Sequence, residues 1–219
     1  FSGKAQTAID FGGFDNPGNT FAANGWTVVN STVNKWVVGT GASASPPSSP
    51  NTAYISADGT EGNYSYDNTK PHISHFYRQV TLPANAFNIT LSFQLKGNTE
   101  FGSDGLEVFA DSNLTAPVAD QLPVNAGLAF YQFDQNGFYV NQTTTMDALK
   151  VAGKTFLLIF TWVNDGNNIG SGPPASVDDA SLIYCLNSAK YTVTGGGAFC
   201  TGSSGAGVGL SGSDIGISY

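Results

Sequence analysis

The chain has 219 residues and a formal net charge of −8, from sixteen acidic side chains against eight basic ones. That length buries one full core of sandwich type, and the negative balance argues against nucleic acid and against anionic membrane surfaces. Abundant Gly and turn-forming residues, with no helical clustering of Leu, Ala, Glu and Lys, predict an all-β fold.

Residues 1 to about 50 read as irregular, with Gly12-Gly13, Asn16-Pro17-Gly18 and a Ser/Pro-rich run from Ser43 to Pro50. Short strands are predicted at Ala8–Phe11, Trp26–Val29 and Trp36–Gly39. Strands then dominate, at Ala53–Ala57, Phe76–Leu82, Ile89–Lys96, Leu106–Ala110 and Leu128–Phe133. In the third of these, Ile89, Leu91, Phe93 and Leu95 alternate with Thr90, Ser92, Gln94 and Lys96, the pattern of one buried and one solvated face. Thr143–Val151 reads equally as a short helical turn or a strand.

Thr155–Val163 is apolar on both faces, with Phe156, Leu158, Phe160 and Trp162 on one side and Leu157 and Ile159 on the other. Such a run suits a strand buried inside a sandwich. Asn164–Pro174 supplies the Asn, Asp, Gly and Pro of a turn region. Ser176–Tyr184 is extended again but carries Asp178 and Asp179 where a buried strand prefers Val or Ile. Trp26 and Trp162 are assigned to the core; Trp36 is not assigned. Beyond Leu186, strands are predicted at Tyr191–Thr194 and Ala206–Ser211, with a third reaching Tyr219. So short a Gly- and Ser-rich stretch buries no core of its own, so the chain reads as residues 1–185 plus the incomplete opening of a second module, 186–219.

No apolar run reaches the roughly 20 residues of a membrane helix, so direct membrane insertion is not expected. No signal peptide is legible at Phe1. Cys185 and Cys200 enclose a Gly-rich segment and read either as a disulfide or as two separate thiols. Asn30, Asn63, Asn88, Asn113 and Asn141 open Asn-x-Ser/Thr triplets, which are glycan sites only where the source glycosylates them.

The order of landmarks carries a family resemblance. Phe14-Asp15 leads to Gly25-Trp26, Ala53-Tyr54-Ile55-Ser56 and Leu91-Ser92-Phe93. Ser103-Asp104-Gly105-Leu106-Glu107-Val108, Gly153-Lys154, Phe160–Asp165 and Pro173–Asp179 follow. This resembles the MAM-like jelly-roll group that includes the cleaved adhesin and choice-of-anchor J domains of secreted Bacteroidota proteins, over roughly residues 8 to 185. The tail, through Gly195–Cys200 and Val208–Ser213, resembles the opening of the Ig-like or PKD-like repeats of giant surface proteins in the same bacteria. The resemblance implies a jelly-roll β-sandwich, a noncatalytic adhesion role at the bacterial cell surface, export by type IX secretion, and further Ig-like domains in the same chain. Some such proteins are gliding factors.

The resemblance also implies structural calcium, which takes six to eight oxygen ligands, with Asp15, Asp104 and Asp178 as carried-over candidates. Many relatives have Glu where Asp15 stands. Without metal, Asp178 and Asp179 would cap a turn. A second candidate is the loop Asp58–His75, where Tyr64, Tyr66, His72 and His75 sit among amides and acids. Aromatic faces beside hydrogen-bonding groups suit a neutral sugar, although an exposed loop without ligand has the same composition. The two histidines lack a third ligand nearby for a transition metal. Enzyme motifs such as Gly-x-Ser-x-Gly and His-Glu-x-x-His are missing, and nothing singles out a carboxylate pair from Glu100, Glu107 and the Asp residues. The expected function is therefore recognition of a glycan or a cell-surface protein. The alternatives are an ancillary carbohydrate-binding or spacer domain of a secreted hydrolase, and a spacer with no ligand.

Overall fold

In a computed structural model the described residues are 6–41, 50–124, 127–133, 137–170, 172–187, 191–198, 200–202 and 204–213, with residues 128–133 described by their backbone alone. They form an all-β jelly-roll sandwich. Its strands are β1 (Gln6–Asp10), β2 (Thr27–Val29), β3 (Lys35–Gly39), β4 (Thr52–Ser56), β5 (His72–Thr81), β6 (Ala86–Lys96), β7 (Gly105–Asp111), β8 (Gly127–Phe133), β9 (Val140–Met146), β10 (Thr155–Asn164) and β11 (Ser176–Leu186). One sheet runs β3-β4-β11-β6-β9, with β1 also on β11; the other runs β2-β5-β10-β7-β8. The pairings are antiparallel. From β4 onward the chain repeatedly crosses from one sheet to the other, as a jelly roll requires.

The predicted strands are present with shifted ends. β5 begins at His72 because Ser74, His75 and Phe76 are all buried there. Thr143–Val151 divides: β9 ends at Met146, and α1 (Ala148–Val151) follows, its first turn capped by the Asp147 carboxylate accepting from the Leu149 amide. β12 (Val193–Gly195) and β13 (Val208–Leu210) pair as a separate, exposed two-stranded sheet. The third C-terminal strand predicted up to Tyr219 lies outside the described residues. Cys185 is half-buried and Cys200 is exposed.

The core fills the space between the sheets. Phe156, Leu158, Phe160 and Trp162 of β10 face Ile89, Leu91, Phe93 and Leu95 of β6, as the two-residue period predicts. Phe160 stacks on Phe76 at 4.8 Å and meets Phe93 and Trp26 edge-on. Trp36 joins the core at 1% exposure, its indole N–H donating to the Ser74 carbonyl at 3.0 Å. On the outer side of the same sheet, Leu157 and Ile159 form a second small cluster with Phe109 and Tyr77. Leu157 and Ile159 thus also find apolar partners, which explains why β10 is apolar on both faces.

Strand directions collect five connections at one end of the sandwich: β2–β3, β4–β5, β6–β7, β8–β9 and β10–β11. They are tied to one another by the backbone bonds Asn98 N–Pro173 O, Asn168 N–Asn68 O and Gly137 N–Gly97 O, of 2.8, 2.9 and 2.8 Å. Buried Asn34 adds a side-chain clamp. It accepts from the Asp67 amide and donates to the Asp67 carbonyl and to Asn164 Oδ1. Satisfied buried amides of this kind hold loops in one arrangement.

Candidate functional site

The loop end carries a group of three acids. Asp104 closes the β6–β7 loop and is 1% exposed. Carboxylate oxygens of Glu100, Asp104 and Asp165 lie within 4.8 Å of one another. The Tyr66 hydroxyl donates to Asp104 Oδ2 at 2.8 Å, and the Asp165 amide donates to Oδ1 at 3.0 Å. Asn167 Nδ2 bridges Glu100 Oε1 and Asp165 Oδ2. Glu100 Oε2 is shut off from solvent and accepts no hydrogen bond among the described residues. Burial pushes the Asp104 carboxyl above its usual range, and the neighbouring acids add to this; the two hydrogen bonds act against it. Burial and the Asp104 contact push the Tyr66 phenol well above its ordinary value. Hard oxygen donors in this arrangement suit a divalent cation such as calcium.

A second group of acids lies where the sheet changes partners. β11 pairs with β4 at Ser176–Val177 and with β1 from Ser181 to Cys185. Between them a bulge interrupts its ladder with β6, and Asp179 takes a left-handed φ of 47°. The chain just after β1 enters this gap. A Cβ on Gly13 would sit 2.9 Å from Asp179 Oδ1, 3.1 Å from Asp178 Oδ1 and 3.4 Å from Asp15 Oδ2. Only a glycine lets the backbone approach these carboxylates so closely. Asp178 is fully buried, and Asp15, itself exposed, accepts from the Asn51 amide at 3.1 Å.

The three acids carried over as one calcium set therefore do not form one site. Asp15 and Asp178 come together, joined by Asp179. Asp104 stands apart with Glu100 and Asp165, because it leads into the sheet of β7 while Asp178 lies on the outer face of the other sheet. Sequence reasoning missed Glu100 and Asp165 as partners of Asp104. Glu100 stands only four positions before Asp104, but Asp165 reaches the group through the β7–β10 pairing, where Gly105 lies opposite Val163.

The four ligand candidates also separate. The loop that was expected to run to His75 ends at Pro71, and His75 is a fully buried strand residue. Its Nδ1 is 3.0 Å from Thr161 Oγ1 and its Nε2 is 3.1 Å from the Val118 carbonyl. Burial lowers its pKa. His72 Nδ1 lies 2.8 Å from Ser31 Oγ and 3.4 Å from Asp120 Oδ1. Tyr64 donates to the Pro174 carbonyl and meets Tyr54 edge-on. Tyr66 lies edge-on to Trp162 and is bound to Asp104. These side chains fasten segments to the sandwich and present no shared aromatic face. Lys96 lies over two rings, Tyr64 at 5.5 Å and Tyr139 at 5.6 Å. Burial raises the Tyr139 phenol to about 12.

The exposed aromatics at the loop end are different residues. Phe101 is 81% exposed and Phe138 is 74% exposed. Phe101 lies on the loop of Glu100 and Asp104. Phe138 follows Gly137, whose amide bonds that loop at Gly97. Phe101 stands alone in a polar stretch, and Phe138 adjoins only Tyr139 and Val140 where the largely polar strand β9 begins, which is why no periodic apolar pattern revealed them.

No family model matches this chain, and no curated protein matches it. Solved structures similar to it include a carbohydrate-binding module in complex with β-1,4-galactotriose, 14% identical, with a TM-score of 0.44 over 78% of this chain and 92% of that one. A cleaved adhesin domain of the Lys-gingipain of Porphyromonas gingivalis W83 is 13% identical, with a TM-score of 0.43 over 84% and 99%. A Caldicellulosiruptor saccharolyticus carbohydrate-binding module in complex with mannohexaose is 8% identical, with a TM-score of 0.48 over 80% and 96%.

Proposed function

We propose that this chain is a noncatalytic, extracellular binding module of a bacterial cell-surface protein, and that its loop end recognises a saccharide. The observation that carries this reading is the pair of exposed rings, Phe101 and Phe138, on two loops bonded to each other beside a group of acids and amides. A pyranose has an apolar face and a rim of hydroxyls. Exposed rings cover the first, and Asn98, Glu100, Asp165 and Asn167 offer partners for the second.

Calcium is the proposed cofactor. Among the described residues one set of carboxylates, Glu100, Asp104 and Asp165, gathers oxygens close enough for an ion, and burial makes ionised Asp104 costly; Asp15 and Asp178, carried over with Asp104, border Gly13 together with Asp179 instead. Bound calcium would offset that cost and stiffen the loops that present the rings. Tyr64, Tyr66, His72 and His75 act in this reading as supports of those loops. Adhesion in a type IX-exported gliding or adhesion factor, with residues 186–219 opening an Ig-like domain, is the setting that the sequence resemblance favours.

Affinity electrophoresis through gels containing soluble polysaccharides tests the reading. At least one neutral polysaccharide should retard the wild-type protein, less so after Phe101→Ala and less so in EDTA. Unretarded migration in galactans, mannans, xylans and glucans would contradict it.

A further inference from the structure

The sequence contains one arginine, Arg78, against sixteen acidic residues. Arg78 lies on β5 opposite Leu158, with the core-facing parity of Phe76. Its guanidinium occupies the corner between two rings, 4.6 Å from the Phe11 centroid and 5.0 Å from the Trp26 centroid. Those rings meet edge-on at 76° with centroids 5.8 Å apart. Gly25, with a φ of 74°, bounds a third side; a Cβ there would lie 3.6 Å from Nη2.

No group among the described residues accepts a hydrogen bond from this guanidinium, and none forms an ion pair with it. Its Nε is shut off from solvent and has no acceptor. Burial lowers the guanidinium's pKa, with no acidic neighbour to offset the effect. This is unusual for a planar five-donor cation, which normally finds a carboxylate or phosphate when it leaves water. The two rings compensate part of the lost hydration. They supply no acceptor.

We infer that Arg78 is an anion receptor, whose outer N–H edge takes the carboxylate of a ligand where the end of β1 meets the start of β2. Phe11 and Trp26 flank the guanidinium on two sides and restrain it, so a carboxylate meets a preorganised partner for a bidentate pair. The site is separate from the loop end, because Arg78 pairs with the middle of β10 while the loops begin at Asn164.

A single arginine gives a single side-chain Nε–H resonance, which makes the test direct. The ¹⁵N-labelled protein is titrated with sodium acetate, sodium glucuronate, sodium phosphate and glucose at constant ionic strength. Both carboxylates should move that resonance saturably, together with the backbone amides of Gly25 and Trp26, and glucose should not. Arg78→Lys should weaken the amide response by about tenfold, since an ammonium forms no bidentate pair, and Arg78→Gln should abolish it. An unchanged amide spectrum elsewhere establishes that both variants fold. An Nε–H resonance unmoved by either carboxylate up to about 50 mM, the range of a very weak site, would overturn the inference and leave a packing cation only. So would a response to phosphate alone, or equal amide shifts in Arg78→Gln.

Discussion

Replacing Asp104 by Asn tests whether the acids at the loop end hold a cation. Its carboxylate is buried, with Glu100 and Asp165 oxygens within 4.8 Å. At that separation and an effective dielectric of about 20, one like-charge pair costs about 3 kcal/mol. Asp165 is exposed and adds less, because solvent screens it. Removing the Asp104 charge relieves this repulsion, while Asn replaces one acceptor oxygen with a donor beside Tyr66 or the Asp165 amide. These effects oppose each other, so metal-free Asp104→Asn should melt within a few degrees of wild type. The response to calcium is what separates the two proteins. At a hundred times its dissociation constant, a ligand bound only by the folded state stabilises by about 2.7 kcal/mol. For a domain of this size that is roughly 5–10 °C in Tm. Differential scanning calorimetry of both proteins, with EDTA and with calcium in excess, measures the gap. Wild type should gain that shift, and Asp104→Asn should lose most of it. Asp178→Asn reports separately on the acids around Gly13. A wild-type melt indifferent to calcium, or a full calcium shift in both variants, would mean that these acids hold no cation.

Burial raises the Asp104 carboxyl above its unfolded value, so the metal-free fold binds a proton that the unfolded chain has released. Metal-free stability should therefore fall as pH rises from about 3.8 through the folded pKa, and urea titrations should show that contribution vanish in Asp104→Asn. Buried His75 has the opposite sign: its pKa is lowered, so its contribution is complete above 6.5 and is lost as pH falls from there through the folded value. His75→Gln should flatten the stability profile over that interval. Phe160→Ala removes a fully buried ring from among Phe76, Phe93 and Trp26 and should cost about 3–5 kcal/mol by urea denaturation; a loss below about 1 kcal/mol would mean a loosely packed core. Gly13→Ala places a methyl group among three carboxylates and should destabilise by about 1–3 kcal/mol, read from the same urea transitions.

Period-two patterning made the sandwich legible. β6 alternates cleanly, β10 reads as buried on both faces, and both lie where the pattern predicts. Asp178 and Asp179 were legible as an anomaly, and the structure supplies its cause: β11 changes partners there, and the segment after β1 fills the gap. The grouping of the acids was not legible. Which carboxylates meet depends on antiparallel register, and Asp104 and Asp165 are brought together by pairing across sixty-one positions. His75 misled for a related reason. An exposed loop and a strand entry have similar local composition here, and only tertiary contacts with Thr161 and Val118 distinguish them. Phe101 and Phe138 gave no periodic signal because loops carry none.

Saccharide recognition by Phe101 and Phe138 is measured most directly on a glycan array probed in calcium with the wild-type protein and with a Phe101→Ala/Phe138→Ala double variant. Because both rings are exposed, the double variant should keep the wild-type melting temperature. A discrete set of saccharides should be bound by the wild type and lost in the double variant. Saccharides bound equally by both proteins, or none bound by the wild type, would contradict recognition by these rings.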